Sequence, residues 1–362
     1  MATGTGTWSY RDRFHEDFGR TYFRRYGDGL VSSIGIGTYL GDPTDTVDEG
    51  YYEAIRAALD GGINVVDTAI NYRCQRSERV VGRALSDADV DRDEVVVATK
   101  GGFVPFDGVR PADPGQYVLE EYVETDIVPR ESLVGGHHCI HPDFLDDQLD
   151  RSLSNLDVET IDLYYVHNPE TQLAERSQSA VYDQLEAAFE RLEERAAADD
   201  IARYGVASWE CFRVPPSHDR YLALPEVISR ARSAARTVGN QATHLRAIQL
   251  PFNVMMADAF TVEAQDSPDG PQSALWFAQE AGLDVFTSAS IAQGELAREL
   301  PSDIAARLEG ETTAQRAINF ARSAPGVTAA LVGASSVEHV RENLEAGRYD
   351  PLGADAFDAV FE

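Results

Sequence analysis

The chain contains a single lysine, Lys100, at the end of the apolar run VVVATK; the other 30 of its 31 basic residues are arginine. A lysine amine can have its proton affinity shifted by burial or by a neighbour, whereas a guanidinium stays charged. Residues able to handle a proton stand at or just beyond the ends of the adjoining apolar runs: Asp67 in INVVDTA, His167 in IDLYYVH, and Tyr72 on the following stretch NYRCQRSERVVG. A tyrosine near its ordinary pKa of about 10 exchanges protons reluctantly at neutral pH. A lysine cation nearby lowers that value, an aspartate holds the lysine charged and in place, and a histidine can orient a carbonyl oxygen beside the phenol. If a fold brings the four together, the chemistry open to them is proton transfer at a carbonyl or alcohol oxygen.

The elements that must position them alternate regularly. Runs at 32–40, 63–69, 94–100, 161–167, 203–209, 245–250, 283–289 and 327–334 are apolar without a polar alternation, as parallel strands covered on both faces are. Helical patterns follow them: VDEGYYEAIRAALDGG, SERVVGRALS, HPDFLDDQLDRSLSNL, AVYDQLEAAFERLEERAAA, LPEVISRARSAART, PQSALWFAQEAG, TTAQRAINFARSA and SVEHVRENLEAG. A strand followed by a helix eight times over predicts a (β/α)8 TIM barrel. A doubly wound sheet is the alternative, weakened because no G-x-G-x-x-G follows a strand. The GDG turn in YFRRYGDGLVSSIG predicts an N-terminal β-hairpin capping the barrel bottom. The stretch 101–141 after the third strand is long for a βα connection and reads as an insertion forming a lid or substrate wall. The expected layout is an N-terminal extension 1–21, a barrel over 22–350, and a C-terminal tail 351–362.

The motifs resemble a known family. DTAINYRCQRSERVVG is similar to the aldo-keto reductase signature D-T-A-x-x-Y-G-x-G-x-S-E-x-x-x-G. It matches at Asp67, Thr68, Ala69, Tyr72, Ser77, Glu78 and Gly82, and departs at Arg73 and Gln75, where the family usually has glycine. VATK and DLYYVHNPE resemble the family's third and fourth strands. The resemblance implies Tyr72 as proton donor, Lys100 and Asp67 as its tuners, and His167 as the residue orienting the substrate. It also implies a nicotinamide cofactor site. Gly37 and Thr38 of GIGTYLG would line it. Ser208 falls where an Asn usually grips the nicotinamide amide, with Gln249 as its partner. Ser288 stands where a stacking Tyr is usual. Ile291, Gln293, Gly294 and Leu296 of TSASIAQGEL would wrap the pyrophosphate. Gly333, His339, Glu342 and Asn343 would surround the adenine ribose phosphate, with His339 in place of the usual Arg and Gly333 in place of a frequent Lys. NADP(H) is the expected cofactor, through His339 and Arg341, with NAD(H) as the alternative. Tyr39 and Trp209 are expected in the substrate wall, although Trp209 could equally be core.

Composition narrows the partners. Lys+Arg 31 against Asp+Glu 61 leaves a net charge of −30, which argues against nucleic acid and anionic membranes and resembles proteins of salt-loaded cytoplasm. The expected partner is a small carbonyl or alcohol substrate, the expected location the cytoplasm, and the oligomeric state is not legible. Cys74, Cys139 and Cys211 imply no disulfide framework. GGHHCIHP brings His137, His138, Cys139 and His141 close in sequence, but the spacing fits no closed four-ligand pattern, and no metal site is expected. Two rival functions remain at this stage: a Schiff-base lyase using Lys100 as amine nucleophile, and a non-enzymatic nicotinamide-sensing binding subunit.

Overall fold

The computed structural model describes residues 1–361. Along the chain the strands are β1 (Phe23–Tyr26), β2 (Gly29–Ser32), β3 (Ile34–Gly37), β4 (Val65–Asp67), β5 (Val96–Gly101), β6 (Leu163–His167), β7 (Tyr204–Ala207), β8 (Leu245–Pro251), β9 (Glu263–Ser267), β10 (Gly270–Ser273), β11 (Asp284–Ser288) and β12 (Val327–Gly333). β3 to β8, β11 and β12 close into a parallel barrel, β12 pairing back onto β3. Closure excludes the doubly wound sheet. Each of the eight expected strands forms, between the helices Asp45–Gly61, Arg76–Asp87, Pro142–Leu156, Gln178–Ala197, Leu224–Val238, Ala274–Glu280, Thr313–Ser323 and Val337–Ala346.

The continuous apolar runs divide by alternation once the barrel closes. Val65, Val96, Ala98, Leu163, Tyr165, Ala247 and Phe286 fill the interior, while Val66, Val97, Tyr164, Val166 and Ile248 pack outward against the helices. Successive side chains on a strand point to opposite faces. The same count of two from Val65, Ala98, Tyr165 and Ala247 therefore turns Asp67, Lys100, His167 and Gln249 into the barrel mouth. The outward residues are used as well: Thr99 Oγ1 donates to Glu78 Oε1 at 2.6 Å, and Asn155 Nδ2 donates to Glu78 Oε2 at 2.9 Å. Glu78 of the signature thus ties two helices to the back of β5, and its burial raises its pKa.

The hairpin β1–β2 turns at Gly27, in the left-handed region at φ 59°, and Tyr26 and Val31 join the interior cluster, Tyr26 meeting Phe286 edge-on at 6.0 Å. The helix expected from 271 starts instead at Ala274, because residues 270–273 pair with β9 in a second hairpin. Its turn, SPDG, ends on Gly270 at φ 117°, a conformation that glycine tolerates. In the N-terminal extension Gly4–Phe14 is helical, and in the tail Ala354–Asp358 is helical with Phe357 packed on Phe252, Phe260 and Phe320; Glu362 lies outside the described residues. No helix among the described residues is long and apolar enough to cross a membrane.

Candidate active site

A cavity of about 800 Å³ opens at the C-terminal ends of the barrel strands. It is lined by the expected residues Gly37, Thr38, Tyr39, Asp67, Tyr72, His167, Ser208, Trp209, Gln249, Ser288, Ile291, Gln293, Gly294, Gly333, His339, Glu342 and Asn343. Besides Arg341, two expected residues are not in the lining. Lys100 is wholly buried behind the wall, and Leu296 is buried in the core between barrel and helices.

Lys100 Nζ donates to Asp67 Oδ1 at 2.6 Å and to the carbonyl of Thr68 at 2.8 Å. The second carboxylate oxygen of Asp67 accepts from Gln249 Nε2 at 2.7 Å. Above this pair the ring of Tyr72 has its centroid 5.0 Å from Lys100 Nζ, 4.9 Å from the Tyr39 ring and 6.1 Å from the His167 ring. Burial lowers the Lys100 pKa and Asp67 opposes that fall. The balance at Tyr72 differs from the sequence argument, in which the lysine pulls the phenol down. Burial, then Asp67 and Tyr39, push Tyr72 well above the ordinary tyrosine range. The phenol is held as an acid. His167 is held neutral: burial first, then the Lys100 charge and His138, keep it well below the usual histidine range. Its Nδ1 is buried without a partner.

The GGHHCIHP cluster disperses in space. His138 Nε2 bonds the carbonyl of His167 at 2.8 Å, and Gln172 Nε2 donates to His138 Nδ1 at 2.7 Å, so the 101–141 insertion is pinned to the end of β6. Cys139 packs in an apolar cluster with Val104, Tyr122 and Phe144, His137 stacks near Phe103, and His141 caps the helix Pro142–Leu156. Among the described residues no three His, Cys, Asp or Glu side chains gather around a possible metal position.

The residues given to the cofactor form one wall. Gly37 and Gly333 lie side by side on β3 and β12, where a Cβ on either would meet only backbone atoms of the neighbouring strand at 3.9 Å or more, so the floor there is bare, flat backbone. Ser208 Oγ donates to Glu170 Oε1 at 3.2 Å and accepts from Cys211 N at 2.8 Å, while Gln249 gives one of its two amide N–H groups to Asp67. What Gln249 Oε1 and Ser208 Oγ still offer the cavity is acceptor capacity, which suits the NH₂ of a carboxamide. Arg298 and His339 are the basic side chains of the lining besides His167; Arg341 is exposed and outside it. A flat floor, paired amide acceptors and the side chains of Arg298 and His339 further along fit a nicotinamide dinucleotide.

Sequence reasoning passed over Phe103, Asn168, Glu170 and Arg298. Phe103 stands edge-on to His167 at 5.0 Å, and Asn168, next to it, is left-handed at φ 47°. Glu170 Oε1 accepts from the backbone N–H of Trp209 at 2.7 Å and of Glu210 at 2.9 Å as well as from Ser208, fixing the end of β7. The signal for Glu170 was an acid within HNPE directly after the strand-end histidine; for Arg298 there was none.

Fold and site together define a parallel barrel with a buried acid–base set at its mouth. Residues 33–214 match the model of the aldo/keto reductase family, and the chain belongs to that family. It is similar to aldo-keto reductase AMT2 of Alternaria alternata, 32% identical over 156 residues that make up 41% of each chain. It is also similar to a putative voltage-gated potassium channel subunit beta of Schizosaccharomyces pombe, 25% identical over 87% of this chain and 84% of that one. In fold it resembles an aldo/keto reductase of Klebsiella pneumoniae crystallised with NADP and acetate, with TM-score 0.62, 21% identity and 94% of both chains covered.

The His138 contact carries a pH dependence. Burial lowers the His138 pKa to about 4, so the folded state holds the neutral ring and its contribution to stability is complete above the ordinary value of about 6.5. As pH falls from there toward 4 the unfolded chain binds the proton first, and about 3 kcal/mol of stability is lost. Urea unfolding of wild type and His138→Gln at pH 7 and pH 4.5 checks this. The difference between the two pH values should shrink in the variant; an equal difference in both would place the acid sensitivity elsewhere.

Proposed function

We propose that this protein is a nicotinamide-dependent oxidoreductase acting on an aldehyde or ketone, or in reverse on an alcohol or sugar hemiacetal. The observation that carries the reading is the fully buried Lys100–Asp67 pair beneath Tyr72, with neutral His167 beside it in the cavity. The bound dinucleotide supplies or takes up the hydride. His167 orients the carbonyl oxygen, and Tyr72 delivers its phenolic proton to that oxygen as negative charge develops there. Lys100, kept charged by Asp67, stabilises the phenolate left behind, which relaxes the upward shift that burial imposes. Gly37 and Thr38 form the cofactor floor, and Ser208 and Gln249 accept from its carboxamide. Ile291, Gln293 and Gly294 follow its pyrophosphate. His339 and Arg298 support NADP(H) over NAD(H), as does the NADP in the Klebsiella relative's crystal.

The lyase reading loses ground because Lys100 Nζ is buried, hydrogen-bonded to Asp67 and absent from the cavity lining. A non-catalytic nicotinamide-sensing role stands as the second reading, favoured by the match along most of the fission-yeast channel subunit. The acidic surface, at net charge −30, further suggests a protein suited to high salt, where self-repulsion is screened. Its melting temperature should rise between dilute and molar KCl; a flat melting curve would remove that idea.

The function is tested by titrating wild type, Tyr72→Phe and Lys100→Met with NADPH and NADH, followed by assays on a panel of carbonyls. Lys100→Met strands a buried carboxylate, so it is paired with Asp67→Asn/Lys100→Met to keep the fold. The expected result is preferential NADPH binding by all variants, with turnover reduced about 10²–10⁴-fold by loss of the proton donor. Binding without turnover in wild type would favour the sensing role, and no binding of either nucleotide would end both readings.

A further inference from the structure

The turn that carries Tyr72 has an unusual backbone. Arg73, Cys74 and Gln75 are all left-handed, at φ 48°, 58° and 66°. Glycine takes this conformation freely and other residues take it at a cost. Two of the three positions are those where the signature has glycine, so the chain holds side chains where their absence would relax the backbone. Both side chains are buried, Arg73 at 6% and Gln75 at 2% exposure, and both reach away from the turn to a different loop of the cavity mouth.

Arg73 reaches the loop after β3. Its guanidinium donates to the carbonyl of Asp42 at 3.2 Å from both Nε and Nη2 and to that of Thr44 at 3.4 Å, and it pairs with the Asp48 carboxylate. Its face lies 5.2 Å from the Tyr51 ring, and Tyr51 Oη donates to the carbonyl of Leu40 at 2.8 Å. That loop begins with Tyr39, whose ring meets Tyr72. Gln75 reaches the insertion. Its Nε2 donates to the carbonyl of Phe106 at 3.1 Å and its Oε1 accepts from Asn155 at 3.1 Å, while Gly108 N donates to the intervening carbonyl of Cys74 at 2.9 Å. The insertion carries Phe103, which meets His167.

We propose that Arg73 and Gln75 are positioning residues that brace the Tyr72 turn to two walls of the substrate mouth, the 39–44 loop with the first turn of the helix Asp45–Gly61 and the 103–108 segment, and so set its aperture. Neither touches the reacting atoms. The strained backbone is the consequence of placing a reaching side chain where glycine would be conformationally easiest. Because the braced walls present Tyr39, Leu40 and Phe103, the aperture selects among neutral apolar carbonyl compounds by their width. This selectivity rests on the reading given under Proposed function; the brace itself does not.

The test is Arg73→Gly, Gln75→Gly and the double variant, with Arg73→Lys as the conservative control that keeps the charge opposite Asp48 but loses the fork. Hydrogen exchange of 39–48 and 103–108 reads the brace directly, and it should rise in the double variant while exchange in β4 to β6 stays as in wild type. Kinetics read the consequence. With benzaldehyde and propanal as probes, KM for benzaldehyde should rise about tenfold with kcat changed less than about threefold and NADPH affinity unchanged, and KM for propanal should move little. Arg73→Lys should recover part of the loss relative to Arg73→Gly. Unchanged exchange in both segments would overturn the proposal, as would a fall in melting temperature that takes kcat, KM and NADPH affinity down together. If wild type turns over no carbonyl at all, the reductase reading fails on its own, and hydrogen exchange still decides the brace.

Discussion

A buried ion pair organises the mouth of this barrel. Removing Lys100 and Asp67 from water is expensive, and their mutual attraction offsets the cost only where the remaining donors and acceptors are also satisfied. Here the lysine has Thr68 O besides Asp67, and the aspartate has Gln249 besides Lys100. The four residues come from β4, the turn beyond it, β5 and β8, so the pair fastens strands from opposite sides of the barrel. Tyr72 and His167 take their character from this arrangement. The phenol is kept protonated by burial and by the neighbouring Asp67 carboxylate, and the imidazole is kept neutral because burial and then the Lys100 charge oppose a second positive charge.

The strands were legible in the sequence because a parallel strand covered on both faces must be apolar throughout, and such runs stand out between amphipathic helices. Which of their residues face inward was not legible from the apolar residues themselves. It follows from the polar residues at the strand ends: Asp67, Lys100 and His167 cannot point at the helices, and the alternation is set from there. The second hairpin, β9–β10, was missed because EAQDSPDGPQS has too few apolar residues to alternate and its polar end merges into the next helix. The N-terminal helix GTGTWSYRDRF carries little apolar periodicity, yet its Tyr10 is fully buried and donates to the carbonyl of Leu59 at 2.6 Å.

The site divides in the same way. Residues tied to strand ends could be named in advance, since the fold sends them to one face. Arg298 and Phe103 could not, since their place depends on how a short helix and an irregular segment fold back over the mouth. Lys100 and Leu296 show the reverse limit: motif position put both at the site, and burial puts one behind the wall and the other in the core. The pKa of Tyr72 was misjudged because pairwise charges can be guessed from spacing while burial cannot.

The lone lysine makes the central claim measurable. Protein labelled with [15N]lysine has one side-chain amine signal, from Lys100, besides the backbone. The arrangement around Asp67 predicts an ammonium resonance, protected from exchange and persisting through neutral pH, that titrates below the ordinary lysine range and shifts in Asp67→Asn. A neutral amine at pH 7, or a signal indifferent to Asp67→Asn, would contradict the account and return Lys100 to the role of a nucleophile.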